Sequence, residues 1–172
     1  METRQRGCLR MPGFDCSLPG ACHVTICVQD RRRLFGEITE GEMRCNPSGR
    51  VVETCWQGIP AHFPEVSLDA FVVMPNHVHG ILLFTAGGET PPLRRYTLGQ
   101  VVGYFKYQST TRINSLGGRP GERIWQRNYY EHIVRNEDEL NRIRHYIQDN
   151  PLNWATDHEN PARLEPLARL LP

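Results

Sequence analysis

The order of hydrophobic patterns along the chain predicts an α+β fold of the ferredoxin-like kind: an antiparallel sheet with helices on one face, plus a C-terminal helix that carries a tyrosine. Short β-branched runs alternate with stretches of helical periodicity in the order strand, helix, strand, strand, helix, strand. Only Pro75-Asn76, a turn signal, separates the two middle strands, so they should pair antiparallel. A last helical stretch follows the final strand. At 172 residues the chain suits one domain rather than two. We divide it into a flexible arm over 1–20, a single domain over 21–154 and a tail over 155–172.

Each element has its own signal. The first strand, Cys22 to Val28, is marked by Val24, Thr25 and Ile26. A charged turn, Asp30 to Arg33, follows it. Ile38 to Arg44 suits a small hairpin around Glu40-Gly41. Ser48 to Phe63 places Val51, Val52, Cys55, Trp56 and Ile59 at nearly helical spacing, with Ser48 able to cap the start. Ser67 to Met74 and His77 to Phe84 are the paired strands, and Thr85 to Pro92 is a loop. Thr97 to Leu116 predicts a long helix, broken by Gly117 to Gly121. Tyr129 to Val134 is a short strand. Asn136 caps the final helix, which carries Leu140, Ile143 and Ile147 on one face and ends near Asp149. Pro151 ends it, because the residue before a proline disfavours the helical region.

Composition excludes some classes. Hydrophobic residues at 39% and charged residues at 23% are ordinary for a globular chain. No apolar run approaches the roughly 20 residues of a membrane helix. Arg4, Arg6 and Arg10 are not followed by an apolar stretch, so a secretory signal is not expected and the cytoplasm is the expected location. Of the six cysteines none forms a Cys-x-x-Cys pair, which favours reduced, packed thiols. A zinc site from Cys16, Cys22 and Cys27 is the alternative, with spacings that match no common zinc pattern.

Net charge is only +1, but its distribution is uneven. From Arg94 to Arg135 eight basic residues face two acidic ones, an excess of six. Tyr96, Tyr104, Phe105, Tyr107, Trp125, Tyr129 and Tyr130 interleave with them. Basic groups can track phosphates while rings stack on unpaired bases. Arg94, Arg95, Lys106, Arg112 and Arg127 are therefore candidate DNA contacts. A solvated basic face over core aromatics would show the same pattern.

Two local patterns carry chemistry. His77 and His79 lie two apart on a predicted strand, so both imidazoles share one face. Such a pair can chelate a divalent ion and leave positions open. Tyr146 and Asn150 are four apart on the last helix and share a face there. Tyr146 offers a phenol, and Asn150 an amide carbonyl that a hard cation accepts. His132 and His145 are further candidates for the neighbourhood of the site. Trp125, Gln126 and Arg127 could shape its floor or contact DNA, with Trp125 equally suited to the core.

Three stretches, Phe71-Val-Val-Met-Pro-Asn-His-Val-His-Gly80, Ile124-Trp-Gln-Arg-Asn-Tyr-Tyr-Glu-His132 and Tyr146-Ile-Gln-Asp-Asn-Pro151, together resemble the tyrosine transposases of the HUH superfamily. Within it the chain looks most like the REP-associated type, close to single-strand insertion-sequence transposases. The resemblance spans residues 20 to 154, including Gly20-Ala-Cys-His-Val-Thr-Ile-Cys-Val-Gln-Asp-Arg31. Cys16, Cys22 and His23 stand where relatives often carry aromatics, a departure that concerns packing rather than the metal. The resemblance implies a ferredoxin-like fold, a metal pair His77 and His79, a nucleophile Tyr146, and Asn150 as third metal ligand. It also implies Mg²⁺ or Mn²⁺ as cofactor, with Mn²⁺ the better match for two imidazoles. The implied partners are single-stranded or hairpin DNA and a second copy of the chain, with neither membrane nor nucleotide cofactor.

The implied reaction is single-strand cleavage and strand transfer through a 5′-phosphotyrosine. A phenol of pKa about 10 is only about 0.1% ionised at pH 7, a shortfall of about 4 kcal/mol that the site must offset. Tyr129 and Tyr130 are rival nucleophiles, but neither has a metal ligand at helical spacing. Two other readings compete. One is a domesticated hairpin-binding module without cleavage. The other is a metal-dependent hydrolase that uses water as its nucleophile.

Overall fold

The computed structural model describes residues 20–85 and 96–164. Residues 1–19 of the predicted arm, and Arg94 and Arg95, lie outside them, while Gly20, placed in the arm by the sequence, opens the first strand. Four strands make the main sheet: β1 (Gly20–Cys27), β4 (Val66–Val73), β5 (His77–Phe84) and β6 (Tyr130–Val134), in spatial order β4-β5-β1-β6. All pairings are antiparallel, and the order is the one the ferredoxin-like reading requires. β2 (Gly36–Thr39) and β3 (Glu42–Cys45) form a separate hairpin. Its turn holds Glu40 and Gly41 at φ 55° and 78°, the left-handed pair that a two-residue hairpin loop needs.

Helix α1 (Pro47–Gln57) starts one residue before the expected Ser48. Asn46 caps it, its Oδ1 accepting from the Gly49 amide at 3.0 Å, with Pro47 in the first turn. The expected single helix to Phe63 is two pieces, because Gly58 ends α1 and Pro60 allows only a new first turn in α2 (Ile59–His62). Helix α3 (Leu98–Gly117) begins with a reciprocal capping box between Thr97 and Gln100 and ends at Gly118, φ 61°. Helix α4 (Glu137–Asp149) is capped by Asn136, and Glu137, Asp138 and Glu139 complement its positive end.

The alternation of the strands produces two apolar layers. Val24, Ile26, Val78 and Leu82 face α1 and α3, where they meet Val52, Trp56, Val102 and Phe105. Ile81, Val72 and Leu83 face the other way and pack against Leu140, Ile143 and Ile147 of α4. The tyrosine helix therefore covers the face opposite α1 and α3. Cys22 belongs to the first layer, whereas Cys27, an odd number of residues away on the same strand, borders a cavity on the second. The two cannot share an ion, which removes the zinc alternative.

Gly80 joins the His77–His79 strand to the core. A Cβ there would lie 2.3 Å from Cζ2 of Trp56. Trp56 is stacked on Phe71 at 4.6 Å and set edge-on to Phe105 at 5.3 Å, so it has no room to retreat. We expect Gly80→Ala to lower stability by about 1–3 kcal/mol through overpacking. An unchanged urea midpoint would show that the ring can move.

Candidate active site

His77 and His79 point from β5 to the α4 face, as alternation predicts. His77 is fully buried, and the two Nε2 atoms are 3.0 Å apart. The partners of each ring set its orientation. Asn76 donates from Nδ2 to the carbonyls of Arg31 (3.2 Å) and Glu159 (2.6 Å), so its Oδ1 is the atom that meets His77 Nδ1 at 2.8 Å. His77 Nδ1 must carry the proton, and its Nε2 is left as an acceptor. His79 Nδ1 meets the Thr25 hydroxyl at 2.9 Å.

Helix α4 brings Tyr146 to the pair, with its hydroxyl 3.5 Å from His79 Nε2 and the residue half exposed. Arg144 clasps α4 to β4 through both oxygens of Asp69, at 2.9 and 2.6 Å, and so helps fix the tyrosine's height over the sheet. Asn150 keeps a helical backbone despite Pro151 and is buried, with its Oδ1 lacking any hydrogen-bond partner. Burial raises the Tyr146 phenol pKa and the Asp157 carboxylate adds to the rise, while the neighbouring Asn150 amide pulls the other way.

Asp157 was not foreseen. It lies in the segment set apart as a tail, 155–172, yet its Oδ2 is 3.8 Å from His77 Nε2. His77, His79 and Asp157 each bring one donor atom to within 4.8 Å of the others. Two imidazoles and a carboxylate form a donor set that fits a divalent cation. His23 stacks on His79 at 5.5 Å and stands edge-on to Tyr146 at 6.2 Å. A cavity of about 850 Å³ opens beside the tyrosine, bordered by Arg31, Gln126, Tyr130, His132 and Arg142 among others.

The other sequence candidates are scattered. Lys106 donates to the carbonyls of Gln126, Arg127 and Asn128 at 2.8, 3.2 and 3.2 Å, and burial brings its pKa down to about 8. It braces the loop before β6 instead of facing solvent. Arg112 sits beside Cys55 in the α1–α3 layer, on the far side of the sheet from Tyr146. Arg127 is exposed next to the cavity-lining Gln126. Trp125 is core, its Nε1 donating to Ser109 at 2.9 Å. Tyr129 packs against the core, Tyr130 lines the cavity, and His145 is exposed on α4.

Three buried histidines make the site acid-labile. Burial lowers His77 to about 3 and His23 to about 4, and takes His79 well below its ordinary value. Below pH 6.5 the unfolded chain binds protons that the folded site refuses. Stability is thus fully present above that pH and is lost on acidification at up to about 1.4 kcal/mol per pH unit for each ring. Burial raises the Asp157 pKa, which gives an opposite slope at lower pH. In EDTA the urea midpoint should fall clearly between pH 7.5 and 5.0. A flat profile would mean that these rings are hydrated.

Among the described residues no helix is long and apolar enough to cross a membrane. Comparison with known proteins places the chain in context. The model of the IS200-like transposase family matches residues 19–150. An uncharacterized protein of Haemophilus influenzae is 36% identical over 168 residues, covering 88% of this chain and 91% of its own. The structure of a REP-associated tyrosine transposase bound to a REP hairpin superposes with TM-score 0.59 at 19% identity, covering 84% of this chain and 72% of that one. A candidate transposase structure from Deinococcus radiodurans R1 gives TM-score 0.50 at 17% identity, covering 81% and 95%. At these identities the two structures speak for the fold.

Proposed function

We propose that this chain, which belongs to the IS200-like transposase family, cuts and rejoins single-stranded DNA with Tyr146 as nucleophile and a divalent ion at His77 and His79. Membership makes it a transposase acting on DNA. The observation that carries the finer reading is the phenol 3.5 Å from His79 Nε2, which is itself 3.0 Å from His77 Nε2. Tyr146 and His79 come together from a helix and a strand 67 residues apart, which supports the reading.

His77 and His79 would hold Mg²⁺ or Mn²⁺, and Asn150 has a free buried oxygen to add. When bound, the ion supplies positive charge that polarises a phosphate and favours phenolate over phenol. Tyr146 Oη attacks phosphorus in line. The P–O3′ bond breaks, the 3′ oxygen leaves as a hydroxyl, and the 5′ side stays on the tyrosine. The phenolic proton goes to solvent through the open side of the residue, and solvent returns one to the departing 3′ oxygen. Attack by a 3′-OH on the phosphotyrosine restores a phosphodiester, so rejoining needs no nucleotide. The cavity beside Tyr146 has room for an unpaired nucleotide between Tyr130 and the basic side chains of Arg31 and Arg142. The substrate we favour is hairpin or repeat DNA, met by a homodimer.

The test is covalent trapping on labelled single-stranded hairpin oligonucleotides with Mn²⁺ or Mg²⁺. A metal-dependent protein–DNA adduct that survives denaturation is expected. Tight hairpin binding with no adduct under any condition would instead support a binding module that has lost cleavage.

A further inference from the structure

We infer that Asp157, from the segment beyond the tyrosine helix, is a metal ligand of this site, so that His77, His79 and Asp157 hold the ion together; this rests on the metal-dependent reading above. The His77 Nε2 lone pair and the Asp157 Oδ2 face each other at 3.8 Å. Both are acceptors, because His77 carries its proton on Nδ1. Two acceptors turned into one buried space, with His79 Nε2 at its rim, mark a place for a cation. The His77–His79 and His77–Asp157 separations, 3.0 and 3.8 Å, are both below the roughly 4.2 Å that opposite donors on one ion span at bonds of about 2.1 Å.

Asp157 is held in place rather than lying there loosely. Its Oδ1 accepts from the Glu159 amide at 2.6 Å, which leaves Oδ2 for the site. Glu159 pairs with Arg31 at 3.1 Å, and Arg31 also donates to the His158 carbonyl at 3.3 Å. Asn76, the same residue that fixes the His77 tautomer, donates to the Glu159 carbonyl. Arg33 donates to Asn160 at 3.1 Å and lies over the Trp154 ring. Trp154 in turn packs beside the His77 ring, with centroids 6.1 Å apart. The turns after β1 and β4 therefore grip both sides of Asp157 and deliver its carboxylate to the histidines.

Two consequences follow. The two imidazoles favour Mn²⁺ over Mg²⁺, and Asp157 adds a carboxylate that either ion accepts. An ion tied to Asp157 also stitches residues 154–164 to β5, so loading should slow amide exchange there. Mn²⁺ binding to the full chain, measured by calorimetry and by loss of the free-ion EPR signal, tests this with wild type, Asp157→Asn and Asn150→Ala. We expect Asp157→Asn to weaken Mn²⁺ at least tenfold. It should also abolish the metal-induced protection of residues 154–164 seen by hydrogen exchange in wild type. Asp157→Asn binding within twofold of wild type, with that protection intact, overturns this inference alone and leaves Asn150→Ala to report the third ligand. No Mn²⁺ binding by wild type would instead remove the metal-dependent reading on which the inference stands.

Discussion

Tyr146→Phe should reduce DNA cleavage and strand transfer by at least about 10³-fold while leaving hairpin affinity within about twofold. The substitution is clean. The Tyr146 ring meets His79 at 5.2 Å and His23 at 6.2 Å, contacts that phenylalanine keeps. The hydroxyl meets His79 Nε2 at 3.5 Å and the Asn150 amide, and the residue is half exposed, so water from the open side can replace it. The fold and the metal donors should persist, which separates loss of chemistry from loss of structure. Single-turnover cleavage of a labelled hairpin, with binding measured in parallel, reads both quantities. Residual cleavage with a covalent adduct would point to Tyr130, the other exposed tyrosine on the cavity. Residual cleavage without one would point to water, and the hydrolase reading would return.

Much of this site could be read from local patterns. The two-residue period of a strand puts His77 and His79 on one face whatever they pack against. The helical period does the same for Tyr146 and Asn150. Element order and the Pro75-Asn76 turn suffice for the antiparallel topology. None of these patterns says which layer covers which face. Lys106 and Arg112 read as candidate DNA contacts from the basic stretch alone; α3 packs on the side of the sheet away from Tyr146, while the Lys106 ammonium bonds the carbonyl of the cavity-lining Gln126. Arg94 and Arg95 fall outside the described residues.

Asp157 was illegible for a different reason. It sits 80 residues from His77, in a stretch without hydrophobic period. It reaches the site only because Arg31, Arg33 and Asn76, themselves far apart in sequence, bind the backbone and side chains around it. Such a placement is a tertiary property. A hint was present in the polar run from Asp157 to Asn160, each member of which finds a partner across the fold, but a run of that kind usually reads as solvated tail.

His77→Ala and His79→Ala should each lower metal-dependent cleavage by at least about 10²-fold, and the double variant should be no worse than either single one. If both rings hold one ion, as proposed, the loss of either takes the ion from beside the phenol, and removal of the second costs nothing further. Additive losses would mean that the two rings serve separate steps, for instance His79 acting on the phenol and His77 on the fold. The fold can be watched independently. Each variant removes a buried ring whose proton the folded protein refuses below pH 6.5. The acid slope of the urea midpoint should therefore become shallower by one proton in each single variant and by two in the double. A variant inactive in cleavage but shallower in this slope has lost a ligand from an intact site. A variant with collapsed stability at pH 7.5 has lost the strand instead, and Gly80→Ala, which strains β5 and keeps both histidines, marks how much activity that alone would take away.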